Sequence, residues 1–169
     1  MMKTSRIISL IFISTVLSCT FNRQHSIKDI TYLKYKEKAF KDVSKGFLID
    51  SIFGSSRRLF QYYDKDSDLI YRLDLNIGSD TVVIFNGENV LKTEKKKFLI
   101  DNKTTDIHKY YYGIKGTADG EAYIFINFSS GIVGINYFPW GLSVFPEGRK
   151  IQVNFKDVLL KPENESFYE

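Results

Sequence analysis

A regular alternation of apolar and polar residues, divided by turn residues, most constrains the fold of this chain. Residues 71–77 read Tyr-Arg-Leu-Asp-Leu-Asn-Ile and alternate without exception. A strand with one buried face requires a period of two, because successive side chains point to opposite faces. Residues 151–156, Ile-Gln-Val-Asn-Phe-Lys, repeat the pattern near the end of the chain. Both segments predict half-buried strands.

Two turn signals predict hairpins. Asn86-Gly87 lies between two apolar runs, and a type I′ turn favours this pair because both central residues need positive φ. Ser129-Ser130-Gly131 divides residues 122–145, a segment without any charged residue. Polar residues, glycine and proline interrupt that segment. We therefore interpret it as two strands buried on both faces at the centre of the core, and not as a membrane span.

The remaining pattern favours an all-β domain. Turn residues recur roughly every 8–12 residues and separate about nine or ten predicted strands. Aromatic residues make up 15% of the chain, with only three prolines, which favours β structure over disorder. We predict an all-β, mainly antiparallel single domain, built as a sandwich or a barrel. One short N-terminal helical turn is expected at residues 36–43, where helix-forming residues follow a strand-like run.

The first nineteen residues indicate where the protein resides. Lys3 and Arg6 precede an uncharged, mostly apolar run at residues 7–17, and the segment closes on Ser18-Cys19. This layout is typical of a secretory signal peptide. The run is too short for a membrane span, which needs about 20 residues. Its ending, Val16-Leu17-Ser18-Cys19, resembles the lipobox of bacterial lipoproteins.

That resemblance implies cleavage before Cys19 and attachment of a diacylglyceryl group to its thiol, so that acyl chains such as palmitate anchor the protein. Cys19 is the only cysteine, and a lone thiol consumed by lipid explains the odd count. Thr20 follows it, where an Asp retains some Gram-negative lipoproteins in the inner membrane. The resemblance therefore implies a lipid-anchored cell-envelope protein on the outer membrane, facing the periplasm.

The chain divides into four parts on this interpretation. Residues 1–18 are the signal peptide, residues 19–28 a lipidated tether, residues 29–160 a β-rich domain, and residues 161–169 a polar tail. Removing the signal peptide leaves 151 residues, enough for one domain with its own core. It also lowers the formal net charge from +4 to +2. This near-neutral charge gives no reason to expect a nucleic-acid partner.

Histidine and cysteine chemistry has few residues to use. Only His25 and His108 accompany Cys19, whereas a zinc site needs three or four ligands, usually of these types. No Gly-x-Ser-x-Gly motif suggests that His108 serves a serine nucleophile. We expect His108 to be a partly exposed structural residue. We also expect no catalytic residue and no cofactor beyond the lipid on Cys19.

An acidic turn imitates the start of a calcium loop. Asp64, Asp66 and Asp68 have the first three spacings of such a loop. Position six is then Leu69 where glycine is required, and position twelve is Leu75 where glutamate is required. A solvated turn is therefore the expected structure, with a weak surface calcium site as the alternative, and we assign no metal ligands.

Aromatic and basic residues are the candidates for a binding surface. Aromatic rings bind sugars or peptides, and lysines contact anionic lipid or glycan. The alternatives are packing in the core for the rings, and a solvated loop or the protection of an edge strand for the lysines. The candidates are Tyr110, Tyr111, Tyr112, Tyr137, Trp140, Lys95, Lys96 and Lys97.

We therefore expect a lipid-anchored envelope protein with a non-catalytic binding or scaffolding domain. Its partners are the membrane, through the anchor, and an envelope protein or glycan. Two alternatives stay open. An envelope hydrolase acting on glycan or peptide requires two carboxylates in a cleft, or His108 buried beside an acid. A periplasmic immunity-type lipoprotein would neutralise a toxin.

Overall fold

A computed structural model describes residues 23–78, 82–100, 102–113, 120–148 and 155–169. Within these ranges one antiparallel sheet carries all the strands. The strands are β1 (Arg23–Lys36), β2 (Ala39–Phe53), β3 (Arg57–Asp64), β4 (Leu69–Asn76), β5 (Val82–Phe85), β6 (Glu88–Asn89), β7 (Leu91–Ile100), β8 (Lys103–Tyr112), β9 (Ala122–Asn127), β10 (Gly131–Tyr137) and β11 (Leu142–Gly148). Two short helices follow, α1 (Phe155–Leu159) and α2 (Glu165–Tyr168).

The sheet is a meander that curls almost into a barrel. Its order is β6-β5-β4-β3-β2-β1-β11-β10-β9-β8-β7. Neighbours in the sheet follow one another in the chain except at β1 and β11, where Leu33 pairs with Phe145. The edge strands β6 and β7 are separated in sequence by Val90 alone, so the sheet must curve until its edges approach. The prediction of an antiparallel all-β domain is therefore confirmed, in a barrel-like form.

Inward-facing side chains fill the interior of the sheet. Phe85 on β5 contacts Tyr112 on β8, with ring centroids 4.9 Å apart, across the gap between the edge strands. Each large apolar side chain buried in this way stabilises the fold by about 1.5–3 kcal/mol. The interior cluster consists of Ile30, Tyr32, Leu48, Phe60, Tyr62, Tyr71, Leu73, Leu75, Val83, Phe85, Tyr110, Tyr112, Ala122, Ile124, Ile126, Ile132, Ile135 and Val144.

The C-terminal segment covers the outer face of β7–β11. The ring of Phe167 lies 5.5 Å from that of Phe98 and 5.6 Å from that of Phe125. This second layer explains why β9 and β10 are buried on both faces, as their apolar sequences predict. The outer cluster consists of Phe98, Ile100, Ile107, Phe125, Val133, Phe145, Phe155, Leu159 and Phe167.

The structure corrects two expectations near the N terminus. Residues 23–28, predicted as tether, belong to β1 and pair with the end of β2, where Arg23 lies opposite Phe53. Residues 36–43, predicted to include a helical turn, form the end of β1, a two-residue turn and the start of β2. Pairing with β1 overrides local helix propensity there, and Phe40 packs on Tyr35 with centroids 5.1 Å apart.

The end of the chain also differs from expectation. The tail predicted at residues 161–169 contains α2 and a short 3₁₀ turn, Pro162–Asn164. Buried Phe167 holds it on the sheet. Of the strand predicted at residues 151–156, residues 151–154 lie outside the described ranges, and Phe155 begins α1.

The strand directions define two ends of the sheet. We call the end at Arg23 the proximal end and the end at Lys36 the distal end. At roughly 3.3 Å per residue, β1 spans about 40 Å between them. The turns β2–β3 and β9–β10 lie at the proximal end. The turns β1–β2, β5–β6 and β10–β11 lie at the distal end.

Candidate functional site

The corner between β10 and β11 presents aromatic side chains at the distal end. Pro139 lies in the first turn of a 3₁₀ helix, Phe138–Trp140, and Gly141 ends it with φ of 55°. This left-handed backbone favours glycine. Trp140 is 50% exposed, and its ring stacks on Tyr137 with centroids 5.7 Å apart. Phe138 is 38% exposed. The corner therefore offers accessible rings on a fixed backbone.

A groove begins at this corner and passes the end of the chain. Two pockets, of about 400 and 340 Å³, share four lining residues, Tyr35, Lys38, Tyr168 and Glu169. We call the two pockets together the distal groove. Their volumes lie at the lower end of the range for small-molecule sites. The other lining residues are Glu37, Asn136, Phe138, Gly141, Ser143, Leu159, Leu160, Lys161, Pro162 and Glu165.

Hydrogen bonds around Tyr168 build the floor of the distal groove. The side-chain amide of Asn136 donates to the carbonyl of Tyr168 over 3.3 Å. The Tyr168 hydroxyl is hydrogen-bonded to the hydroxyl of Ser143. Asn136 and Ser143 are both buried, and burial raises the pKa of Tyr168 to about 12. The floor is therefore neutral at physiological pH and offers hydrogen-bonding groups instead of a reactive acid or base.

A strained turn places two charged side chains at the rim of the groove. Glu37 and Lys38 form the two-residue turn between β1 and β2 with φ of 54° and 61°. Positive φ costs a non-glycine residue about 1–2 kcal/mol. The chain uses the favoured pair Asn86-Gly87 for its other two-residue turn at this end. Strain of this kind is enriched at functional sites, and both Glu37 and Lys38 line the groove.

The lining of the distal groove suits a polar ligand that has an apolar face. Tyr35, Phe138 and Tyr168 supply aromatic surface, while Lys38 and Glu169 supply opposite charges. Aromatic side chains combine a large apolar area with a preferred stacking geometry. Sugars and short peptides have the matching combination of apolar faces and polar groups.

The tyrosine trio predicted as binding surface is divided between two faces. Tyr110 and Tyr112 are buried in the interior cluster, because alternate strand residues share a face. Tyr111 points outward, and its hydroxyl donates a 2.8 Å hydrogen bond to the carboxylate of Glu121. The structure therefore does not bring these three side chains together on one surface.

The other predicted site residues lie in two separate places. Tyr137 and Trp140 come together at the distal corner. The three lysines lie on β7. Lys95 forms a 2.7 Å ion pair with Asp106, the ammonium of Lys96 lies over the rings of Phe98 and Phe167, and Lys97 is exposed.

His108 lies inside the sheet, contrary to the expectation of partial exposure. Only 7% of it is accessible, because its ring stacks on Phe128 with centroids 4.2 Å apart. Its Nδ1 atom and the Oδ1 atom of Asp106 are buried without hydrogen-bond partners in the described part of the chain. Burial and the charges of Lys92 and Lys95 hold the pKa of His108 below its usual range. His108 is therefore a neutral side chain near neutral pH.

A buried ion cluster occupies the proximal part of the interior. Arg58 donates two hydrogen bonds to the carboxylate of Asp50, at 2.8 and 2.6 Å, and one to the carbonyl of Phe128. Lys28 adds a third cation contact to Asp50 at 3.0 Å. Burial alone would raise the pKa of Asp50, but the bonds from Arg58 and Lys28 outweigh it and hold that pKa low. The cluster connects β1, β2 and β3 with Phe128, which follows β9.

The lipidation candidate Cys19 lies outside the described residues. No helix in the described ranges is long and apolar enough to cross a membrane. The same ranges contain no group of three or more His, Cys, Asp or Glu side chains placed to hold a metal ion. The Asp64 carboxylate instead accepts hydrogen bonds from the backbone N–H groups of Asp66 and Asp68, at 2.9 Å each.

Sequence reasoning missed most of the distal groove. Tyr35, Lys38 and Tyr168 come from opposite ends of the chain, and no motif joins them. The one available signal was Glu37-Lys38 at a turn between two strand-like runs, where glycine or asparagine is the usual choice. Comparison with known proteins found no matching family model, no similar curated protein and no similar solved structure.

Proposed function

We propose that this chain is a lipid-anchored cell-envelope protein that binds an envelope glycan or protein through the distal groove. The observation that carries the proposal is the position of the groove relative to the N terminus. Strand β1 starts at Arg23 at the proximal end, and the groove lies at the distal end. A lipid on Cys19 would hold the proximal end at the outer membrane and direct the groove into the periplasm.

The short connection to the anchor supports this orientation. Cys19 and Arg23 are four residues apart, and four extended residues reach at most about 14 Å. The proximal end would therefore lie close to the lipid headgroups, and the groove about 40 Å further out along β1. Two or three acyl chains are sufficient for stable attachment.

The chemistry of the groove supports binding and not catalysis. Its floor is built from Asn136, Ser143 and the neutral hydroxyl of Tyr168. Its carboxylates, such as Glu37 and Glu169, stand at exposed positions of the rim. The exposed rings of Phe138 and Trp140 add apolar contact area beside it.

The test compares glycan and protein binding by two sets of variants of the full chain. Phe138→Ala with Trp140→Ala removes exposed rings at the distal end, and Ile27→Ala with Val82→Ala removes exposed apolar side chains elsewhere. Glycan binding is measured as retention on purified peptidoglycan sacculi. Protein binding is measured in cells, by photo-crosslinking envelope proteins to a benzophenone residue at position 37. We expect the distal variant alone to lose sacculus retention or the crosslinked product. Equal behaviour of both variants, or no ligand in either assay, would contradict the proposal.

A hydrolase is the second candidate because His108 is buried near an acid. His108 and Asp106 lie on the same face of β8, and the Asp106 carboxylate offsets part of the lowering of the His108 pKa. The orphaned Nδ1 and Oδ1 atoms are not bonded to each other, and no described serine or threonine hydroxyl bonds to His108. If the protein cleaves sacculi or peptides, His108→Asn should abolish product release. The binding proposal predicts no such activity.

A further inference from the structure

The strand β7 has an open edge. Nine of its ten residues pair with β8, from Leu91 opposite Tyr111 to Ile100 opposite Lys103, and a register shift skips Thr93. On the other side, the chain leaves its pairing with β5 at Val90, whose N–H donates to the carbonyl of Val83. From Leu91 onward no described strand pairs with the second edge of β7. This edge therefore presents a row of backbone donors and acceptors.

The side chains along this edge carry a strong positive charge. β7 contains four lysines, at positions 92, 95, 96 and 97, and one acid, Glu94. Lys92 and Lys97 are exposed and form no ion pair within 4 Å in the described ranges. Leu91 and Leu99, near the two ends of the strand, are 68% and 73% exposed. An incoming strand would thus meet cations along its middle and apolar contacts near its ends.

We propose that the edge of β7 binds an extended acidic segment of another protein, which adds to the sheet as a twelfth strand. Main-chain hydrogen bonds would supply affinity, and the lysines would select acidic side chains. A second copy of this chain is a poor occupant, because two β7 strands would bring like charges together. The site lies on a different surface from the distal groove and does not depend on it.

The test uses the full chain purified in detergent and a ten-residue peptide that alternates valine and glutamate. A peptide with lysine in place of glutamate is the charge control. Two further peptides carry N-methyl groups on alternate residues, each blocking one edge of the added strand. Strand addition uses one edge only, so it predicts that one methylated peptide binds and the other does not. Hydrogen exchange of the amides in residues 92–100 should slow when the acidic peptide binds.

Protein variants complete the test. Lys92→Glu with Lys97→Glu should weaken binding of the acidic peptide by at least about tenfold. Lys45→Glu with Lys65→Glu makes the same charge change at exposed positions away from β7 and should leave binding unchanged. The proposal is overturned if the acidic peptide does not bind, if both methylated peptides bind equally, or if the two double variants behave alike.

Discussion

The hydroxyl of Tyr62 on β3 accepts a 2.6 Å hydrogen bond from the backbone N–H of Ile132 on β10. Both residues are buried. Ile132 adjoins the irregularity in the ladder between β9 and β10, and such bulges leave backbone groups without ladder partners. A side chain from the opposite half of the sheet therefore satisfies a donor that the ladder leaves open.

Replacing Tyr62 should test the cost of leaving that donor unpaired. Tyr62→Phe keeps the ring and removes the acceptor, so we expect the free energy of unfolding in urea to fall by about 1–3 kcal/mol. Tyr110→Phe is the control, because Tyr110 is buried but forms no hydrogen bond to a described residue. Equal losses from the two substitutions would show that the bond to Ile132 contributes nothing specific.

Alanine substitutions at two glycines distinguish the cost of backbone strain from the cost of a steric clash. Gly131 and Gly87 have similar φ, 88° and 91°, so alanine at either position costs about 1–2 kcal/mol from the backbone. A Cβ at Gly131 would also collide with the Tyr62 hydroxyl and the Phe60 ring, whereas Gly87 faces open space. Gly131→Ala should therefore cost roughly 1–3 kcal/mol more than Gly87→Ala in thermal or urea unfolding. A smaller or reversed difference would contradict this packing.

The buried and exposed ion pairs should differ in their contribution to stability. Asp50→Ala removes a buried carboxylate and leaves the partly buried Arg58 without its ion-pair partner. Breaking a fully buried pair typically costs about 3–5 kcal/mol, so we expect a loss of roughly 2–4 kcal/mol here. Asp42→Ala breaks an exposed pair with Lys34, which solvent screens, so its effect on stability should be much smaller. Urea unfolding of both variants at neutral pH measures the difference. Similar small effects would mean that solvent screens the Asp50 cluster.

Burial of His108 should make stability depend on pH. Its pKa is lower in the folded state, so the unfolded chain binds more protons as the pH falls below the unfolded pKa of about 6.5. The stability contributed by neutral His108 is therefore complete above that pH and decreases below it. His108→Phe, which retains a ring against Phe128, should reduce the dependence of the unfolding free energy on pH below about pH 6.5. An unchanged slope would contradict the burial of His108.

Asp50 should make stability depend on pH in a separate, more acidic pH range. Its folded pKa is lower than usual, so its stabilisation is present above the unfolded pKa of about 3.9 and is lost as the pH falls further. Asp50→Asn should therefore flatten the pH dependence below about pH 4 and leave the His108 region unchanged. A variant that alters the region above pH 5 would contradict this assignment.

The sequence was sufficient to predict the strands that pair with the next segment of the chain. Asn86-Gly87 forms the predicted hairpin with positive φ at both residues, and β9 with β10 forms the buried hairpin expected around Ser129-Ser130-Gly131. A period of two separates Tyr110 and Tyr112 from Tyr111, but it does not tell which set faces inward. That choice depends on how the entire sheet curls.

The candidate site depends on contacts that no local pattern contains. The distal groove joins Tyr35 on β1 to Tyr168 in the last helix, and Phe167 holds that helix on the sheet through its contacts with Phe98 and Phe125. The last residues of the chain are mostly polar, so in sequence they resemble a frayed tail even though one of their rings is buried. Tertiary burial of the ring overrides the polar composition around it.

Acylation of Cys19 is the measurement that tests the central claim most directly. The full chain and a Cys19→Ala variant are expressed in a bacterium with radiolabelled palmitate, and the envelope is fractionated. We predict label on the wild-type protein, in the outer-membrane fraction, and none on the variant. A wild-type protein that carries no label and remains soluble outside the cytoplasm would contradict the lipid anchor, and with it the proposed orientation of the distal groove.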